Sequence, residues 1–517
     1  MRIGIDVGGT NTDAVLIDGR TVLATHKSST TSDVTGGIVK ALAALQAQHP
    51  FDPAAIRGVM IGTTHFINAL IEGVRLAPTA ALRLGLPATA SLPPLVDWPE
   101  RLVKAVHGRA YLAHGGHEFD GRHISEIDKD ELRRHASDMA SHGIRSVAIS
   151  SVFSPVNSEF ENEAAEIVAN ELNDEVAISL SHEIGRIGLL ERENATIINA
   201  ALRELASSIV DGLANSIAGY GITAPLYLSQ NDGTLMDVEY ARQYPVATFA
   251  SGPTNSMRGA ALLSGVATCA VVDVGGTTSD IGVLTGGFPR EATTEIHVAG
   301  IRTNFRMPDV LSIGIGGGSH VCEDGDVVTV GPRSVGHNLS REARIFGGTV
   351  LTASDVAVAA GLANFGDVGA VEDLAPRLVK AALQRISNDV ADGIERMRTS
   401  PEPLPVVAVG GGSILLPDEL PGCGEVRRPE HFAVANAIGA AIAQVGGEVD
   451  RVYAIEPGRR ESVIDEARQE AIDRAVAAGA DPGAVEIVDF DEVPLPYLPG
   501  NATRVRCKAV GDLSLER

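Results

Sequence analysis

Residues 3–7 form an apolar run interrupted only by Asp6. The run halts at Gly8-Gly9 and resumes as a second apolar stretch over 14–17. Two strand-length apolar runs around a glycine turn predict a β-hairpin. The same pattern returns 267 residues later. Val272-Asp273-Val274-Gly275-Gly276-Thr277-Thr278-Ser279-Asp280 is identical to residues 5–13 at six of nine positions, the others being Ile/Val, Asn/Thr and Thr/Ser. A duplicated hairpin predicts a duplicated architecture with two related lobes.

Between and after the hairpins, strand and helix patterns alternate. Buried strands are expected at 145–154 and 175–181, with a helix over 157–172 and a long one over roughly 190–219. Residues 224–236 read as a strand entering a polar turn, 353–399 as helical, 405–417 as a strand running into glycines, and 433–447 as a helix. Residues 78–99 read as a turn-rich connector. From about residue 452 a charged helix and two strand-like runs predict a small α+β appendage. The division expected is 1–185 for the first lobe, 186–450 for the second and 451–517 for the appendage: an α/β fold of duplicated lobes.

Composition narrows the partners. A chain of 517 residues can bury several cores, and its 44% hydrophobic content is that of an α/β protein. A formal charge of −24 leaves no basic stripe for nucleic acid and disfavours an anionic membrane surface. The four cysteines include no CxxC pair, and no apolar run reaches membrane-spanning length. With a motif already at residue 6, the N-terminus does not read as a signal peptide. The chain reads as cytoplasmic.

The chemistry sits in the repeat. Paired glycines admit close approach to the backbone, and successive amides in such a turn make an anion-binding concavity. Carboxylates beside a phosphate make sense only with a cation between them. Asp6 and Asp273, each near a strand end, are placed to orient a hydrated Mg²⁺. The phosphate-binding set is therefore Gly8, Gly9, Thr10, Asn11, Thr12 and Asp13 in one hairpin, with Gly275, Gly276, Thr277 and Thr278 in the other. Asp6, Asp273, Asp280, Thr10 and Thr277 are the candidate catalytic groups. Gly410, Gly411, Gly412 and Ser413 follow a strand and offer bare backbone to an adenosine; Asn436 joins this nucleotide set. No lysine follows a glycine, which rules out a Walker A loop, and 314–319 lacks a full dinucleotide fingerprint. ATP and Mg²⁺ are the expected cofactors.

Two phosphate hairpins and a late glycine turn resemble the actin, sugar-kinase and chaperone ATPase superfamily. Within it, the segments "DVGGTNTD", "GTTHFINALIE" (62–72), "SLSHEIGRIGLLERENATIINAAL" (179–202), "SQNDGTLM" (229–236), "SGPTNSMRGA" (251–260), "DVGGTTSD", "SIGIGGGS", "VGPRSVG" (330–336), "GGTVLTASDV" (347–356) and "NAIGAA" (436–441) resemble the hydantoinase A/5-oxoprolinase family. The resemblance implies ribonuclease H-like, actin-like lobes and ATP-dependent opening of a cyclic amide or imide. The γ-phosphoryl group would be transferred to the carbonyl oxygen, and a separate hydrolase-type partner subunit would complete the hydrolysis in a homo- or hetero-oligomer. Related ketone carboxylases imply an alternative, phosphorylation of an enolate and bicarbonate; an ATP-gated regulatory subunit is another. The chain departs from the family at His65, at "SGPTNS" where relatives carry "SGPAGG", and over 78–99. All three departures are expected where substrate is recognised.

Further candidates follow. Thr63, Thr64, His65 and Asn68 either line a substrate pocket or open a helix, with Thr as its cap and His65 as a structural imidazole. Ser229, Asn231 and Asp232 end a strand and are expected to touch substrate or phosphate. Glu191, Arg192 and Asn194 contact substrate or anchor an interface. His114, His117, Glu118, Asp120 and His123 crowd one loop; they either hold a metal or form a polar loop over the active-site mouth.

Overall fold

The computed structural model describes residues 1–9, 11–29, 34–173, 176–292, 296–325, 327–496 and 501–514. Both copies of the motif fold as antiparallel hairpins. Strand Arg2–Val7 pairs with Asn11–Asp18 so that Asp6 stands opposite Asp13. Strand Cys269–Val274 pairs with Ser279–Thr285, placing Asp273 opposite Asp280. Each first strand also has a parallel neighbour, Gly58–Thr63 in one copy and Val406–Val409 in the other. Ile3, Ile5, Val7, Ala270, Val272 and Val274 are almost wholly buried, as an inner strand covered on both faces requires.

Among the described residues the first hairpin lies in a nine-stranded sheet. From edge to edge its order is Glu486–Pro494, Ala502–Gly511, Gln444–Ala454, Thr234–Asp237, Leu226–Ser229, Gly58–Thr63, Arg2–Val7, Asn11–Asp18 and Thr21–Ser29. The second hairpin lies in a seven-stranded sheet. A third, four-stranded sheet runs in the order Arg109–His114, Thr79–Leu86, Ser146–Ser151, Ala177–Leu180, with every pairing parallel. The helix Leu189–Gly219 packs its buried residues into the core of the nine-stranded sheet and also lies against Ser146–Ser151.

Several expectations change. The C-terminal run is not a separate appendage: Gln444–Ala454 pairs with Ala502–Gly511 and, in parallel, with Thr234–Asp237, so the tail extends the first lobe's sheet. Strands Leu226–Ser229 and Thr234–Asp237 join that sheet too, although they lie within 186–450. The connector expected over 78–99 contains Thr79–Leu86, a buried inner strand bounded by Pro78 and Pro87. The helical region near 353–399 is two helices, Ala353–Ala359 and Pro376–Met397, the second opened by its proline. The helix expected over 433–447 is only Ala435–Ile442. Beyond it a strand needs Gly447, where a Cβ would lie 2.2 Å from the Ala471 carbonyl oxygen.

Helices Ser251–Ser264 and Ala435–Ile442 cross at van der Waals contact because both carry glycine there. A Cβ on Gly259 would lie 1.9 Å from the Ala435 carbonyl oxygen, and one on Gly439 would lie 1.8 Å from that of Asn255. This crossing lies beneath both hairpins. Among the described residues no helix is long and apolar enough to cross a membrane.

Candidate active site

A cleft of about 340 Å³ opens between the hairpins, lined by Asp6, Gly8, Gly9, Asn11 and Asp13 on one side and Asp273, Gly275, Gly276 and Thr277 on the other. Gly410, Gly411, Gly412 and Asn436 complete it. Thr10 lies outside the described residues. Thr12, Thr278, Asp280 and Ser413 do not line the cleft. Thr12 and Ser413 are buried behind it, and Thr278 is exposed at the turn.

The first helix of the crossing reaches both carboxylates with adjacent residues. Asn255 Nδ2 donates to Asp6 Oδ1 at 3.3 Å, and Ser256 Oγ donates to Asp273 Oδ2 at 2.5 Å. From the second helix, Asn436 Nδ2 donates to Asp6 Oδ2 at 3.0 Å and to Asp13 Oδ2 at 2.9 Å. Asp13 is paired with a cation: Lys27 Nζ lies 2.8 Å from both of its oxygens. Burial, then the charge of Asp13, pushes the Asp6 carboxyl up to about 6 against the donors' opposing pull. Burial likewise raises Asp273, and pushes Asp280 up to about 6 beside Ser312. Buried carboxylates held by neutral donors fit a group that brings its own positive charge. Two carboxylates lining one cleft fit a hydrated Mg²⁺, which takes few protein oxygens and keeps several waters.

The glycines divide by purpose. Gly410 has φ +79°, and a Cβ there would lie 2.2 Å from Asp273 Oδ1; one on Gly412 would lie 2.7 Å from Val274 Cγ1. These two make room for the hairpin itself. Gly411 meets nothing closer than Lys27 Cε at 4.0 Å and presents bare backbone to the cleft. The glycine loop at 314–319, unassigned by its pattern, clamps the second hairpin: Gly317 N–H donates to the Gly275 carbonyl and Gly318 N–H to that of Gly276.

The other candidates disperse. Thr63 is buried, exchanges hydrogen bonds with Ser251, and lies 2.6 Å from His65 Nδ1. Burial lowers the His65 pKa, with Arg75 adding to it. Thr64 occupies the helix N-cap without a side-chain cap; its hydroxyl reaches the Val7 carbonyl and accepts from Asn68 Nδ2. These residues form a wall behind Gly9 and do not line the cleft.

Ser229, Asn231 and Asp232 do not reach the cleft either. Asn231 and Asp232 line a separate cavity of about 730 Å³ that also holds Arg186, Arg306, Asp450 and Arg504. The Asn231 side chain binds three backbone groups, at Val246, Ala250 and Arg306. Burial would raise Asp232, but Lys508 Nζ at 2.8 Å and Thr234 hold it down to about 2. Ser229 is fully buried. Arg192 and Asn194 are anchors. Arg192 donates to Ser181 Oγ and to the carbonyls of Ser151, Arg186 and Ile187, while Asn194 joins Trp98, Asp97 and the Arg302 carbonyl. Glu191 pairs with Arg302.

In the histidine-rich loop, His114 pairs with Glu131 and Asp120 with Arg122, while His117 and His123 converge on Glu159. No residue of 114–123 lines the cleft, so the loop does not cover its mouth. Asn255, Ser256 and Lys27 were not singled out by the sequence. The first two belong to the "SGPTNS" departure, which touches the paired carboxylates directly.

Comparison with known proteins accords with this arrangement. The model of the hydantoinase/oxoprolinase N-terminal region matches residues 2–172, and that of hydantoinase/oxoprolinase matches 192–366. The caprolactamase subunit alpha of Pseudomonas jessenii is 28% identical over 76% of this chain, which spans 60% of that subunit. The acetophenone carboxylase gamma subunit of Aromatoleum aromaticum is 25% identical over 48% of this chain and 35% of its own length. The solved ATP-dependent caprolactamase from P. jessenii has the same fold at a TM-score of 0.79 and 20% identity, covering 99% of this chain and 88% of that one. Nucleotide-free acetone carboxylase matches at 0.70 and 17%, covering 100% and 88%. With family models matching residues 2–172 and 192–366, the chain belongs to the hydantoinase/oxoprolinase family.

Proposed function

We propose that this chain is the nucleotide-binding subunit of an ATP-dependent cyclic-amide hydrolase, transferring the γ-phosphoryl group of ATP to a lactam or imide carbonyl oxygen. The observation that carries the reading is the pair on facing hairpins, buried Asp6 and half-buried Asp273, hydrogen-bonded by the neutral side chains of Asn255, Asn436 and Ser256. Asp6 and Asp273 would hold Mg²⁺, which would supply charge neutralisation between the phosphates. Gly9, Gly276 and Gly411 let the nucleotide approach the backbone closely. Lys27 stands at the cleft wall and keeps Asp13 paired.

Amide resonance makes the substrate carbonyl a poor electrophile. Attack of its oxygen on the γ-phosphorus releases ADP and leaves an imidate phosphate. Water then adds to the ring carbon and the C–N bond breaks, the nitrogen leaving as the amine and an acyl phosphate remaining; a second water hydrolyses that acyl phosphate to the carboxylate and inorganic phosphate. The first step needs positioning and electrostatic stabilisation more than covalent help from the protein. A separate hydrolase-type subunit would direct the water, in keeping with the subunit naming of the caprolactamase relative.

A second reading is the nucleotide-binding subunit of a ketone carboxylase, favoured by the acetophenone carboxylase relative. The test is ADP release by the chain co-purified with its partner, with lactams and hydantoins in one series and ketones plus bicarbonate in another. Lactam-stimulated turnover supports the first reading; stimulation by ketones alone supports the second. Asp6→Ala and Asp273→Ala should each remove turnover in a folded protein, and retained turnover in both would refute the phosphate site.

A further inference from the structure

We propose that His117, His123 and Glu159 form a binding site for a divalent transition metal ion of the zinc class, on the four-stranded sheet and outside the ATP cleft. One ligand atom from each of the three lies within 4.8 Å of the others. In a closed tetrahedral set bonded at about 2.0–2.2 Å, ligand atoms stand about 3.3 Å apart. The remaining approach is open to rotation of His123 and Glu159, both of which are exposed.

The observation that asks for a ligand is His117. Its side chain is buried at 1% exposure, yet neither ring nitrogen has a hydrogen-bond partner among the described residues. Stacking on Phe160, at 4.6 Å between centroids, accounts for the burial of the ring but not for two unsatisfied nitrogens. His123 is oriented from behind. Its Nδ1 lies 3.0 Å from Glu126 Oε1, which favours the proton there and leaves the Nε2 lone pair for a metal. Two imidazoles and a carboxylate suit Zn²⁺ and its neighbours better than Mg²⁺ or Ca²⁺.

The loop is built to present them. A tight hairpin, closed by Glu118 N–H to the Arg122 carbonyl and turning at Gly121 (φ +84°), sets His117 opposite His123. Glu159 opens the helix Glu159–Glu171, and His117 N–H donates to the Val152 carbonyl. A bound ion would therefore staple the hairpin to the 152–158 loop, part of which walls the larger cavity.

The test uses the untagged full chain, stripped with chelator and titrated with Zn²⁺ and with Co²⁺. One equivalent should bind, with the visible absorption of low-symmetry, four- or five-coordinate cobalt. His123→Gln and Glu159→Gln, at exposed positions that preserve the fold, should each weaken binding about tenfold or more. The Asp6→Asn, Asp273→Asn double variant should bind as the parent does. His117→Ala should abolish binding, with circular dichroism checking its fold. Absence of stoichiometric binding, or equal affinity in the parent and both exposed-site variants, would overturn the proposal.

Discussion

Replacing Asp6 by Asn should stabilise the protein at neutral pH while removing its response to Mg-ATP. In the folded chain the Asp6 carboxyl is raised from 3.8 to about 6, chiefly by burial. The folded state thus binds this proton more tightly than the unfolded state. Stability from this group is complete below about pH 4 and falls as pH rises through about 6. The total is about 3 kcal/mol, of which about half is already lost at pH 5. Asparagine carries no charge and escapes the penalty. It can accept from only one of Asn255 and Asn436 as well as Asp6 does, a loss of about 1 kcal/mol. The net gain is about 2 kcal/mol at pH 7.5, or a rise in melting temperature of several degrees if the first lobe melts as a unit. The two melting curves should cross near about pH 4.5, below which the variant is the less stable. On the proposed function, Mg-ATP at a hundredfold excess over its Kd raises the parent by about 2.7 kcal/mol and the variant not at all. Thermal unfolding between pH 4 and 8, with and without Mg-ATP, decides it. A variant less stable than the parent at pH 7.5, or a difference that does not change with pH, would refute the reasoning.

Glu193→Gln should cost about 3–5 kcal/mol, read from the denaturant midpoint, because it strands the buried Arg83, whose Nε and Nη2 lie 2.7 and 2.5 Å from the two carboxylate oxygens. Arg83→Met with Glu193→Leu should recover most of that loss. Gly439→Ala should push the helix crossing apart at the Asn255 carbonyl, costing about 1–3 kcal/mol and reducing the Mg-ATP-induced rise in melting temperature; an unchanged response would separate the crossing from the site. Lys508→Met should remove about 2 kcal/mol at pH 7. The depressed Asp232 gives stability that is present above about pH 4 and lost as pH falls through about 2, so parent and variant should converge in acid.

The hairpins were legible because the repeat fixes their register. Once the turn is set at the glycines, Asp6 must oppose Asp13, and Asp273 must oppose Asp280. The C-terminal tail was not, because the alternation of 486–494 and 502–511 is the same whether the strands form a unit of their own or extend a sheet begun at residue 2. Pairing between segments so distant in sequence leaves no local trace. Ser229 shows how a sound rule misleads. It ends a strand parallel to Arg2–Val7, but two strands over, about 10 Å to the side, where the following turn opens on another cavity. Lys27 sits on an edge strand where a charged residue draws no notice; only the folded register faces it with Asp13.

The two halves of the cleft are tied together at a single helical turn. Asn255 bonds the carboxylate of one hairpin and Ser256, the next residue, that of the other, while Asn436 joins Asp6 to Asp13 from the second helix. Any movement of one hairpin against the other must stretch one of these bonds or carry the helix with it. The glycines at the crossing leave that helix almost no room to shift alone. Each bond joins a neutral donor to a carboxylate and is worth about 1.5–3 kcal/mol, less than the attraction of a divalent cation for the same oxygens. A displacement of either hairpin is therefore transmitted to the helix Ser251–Ser264 through Asn255 and Ser256.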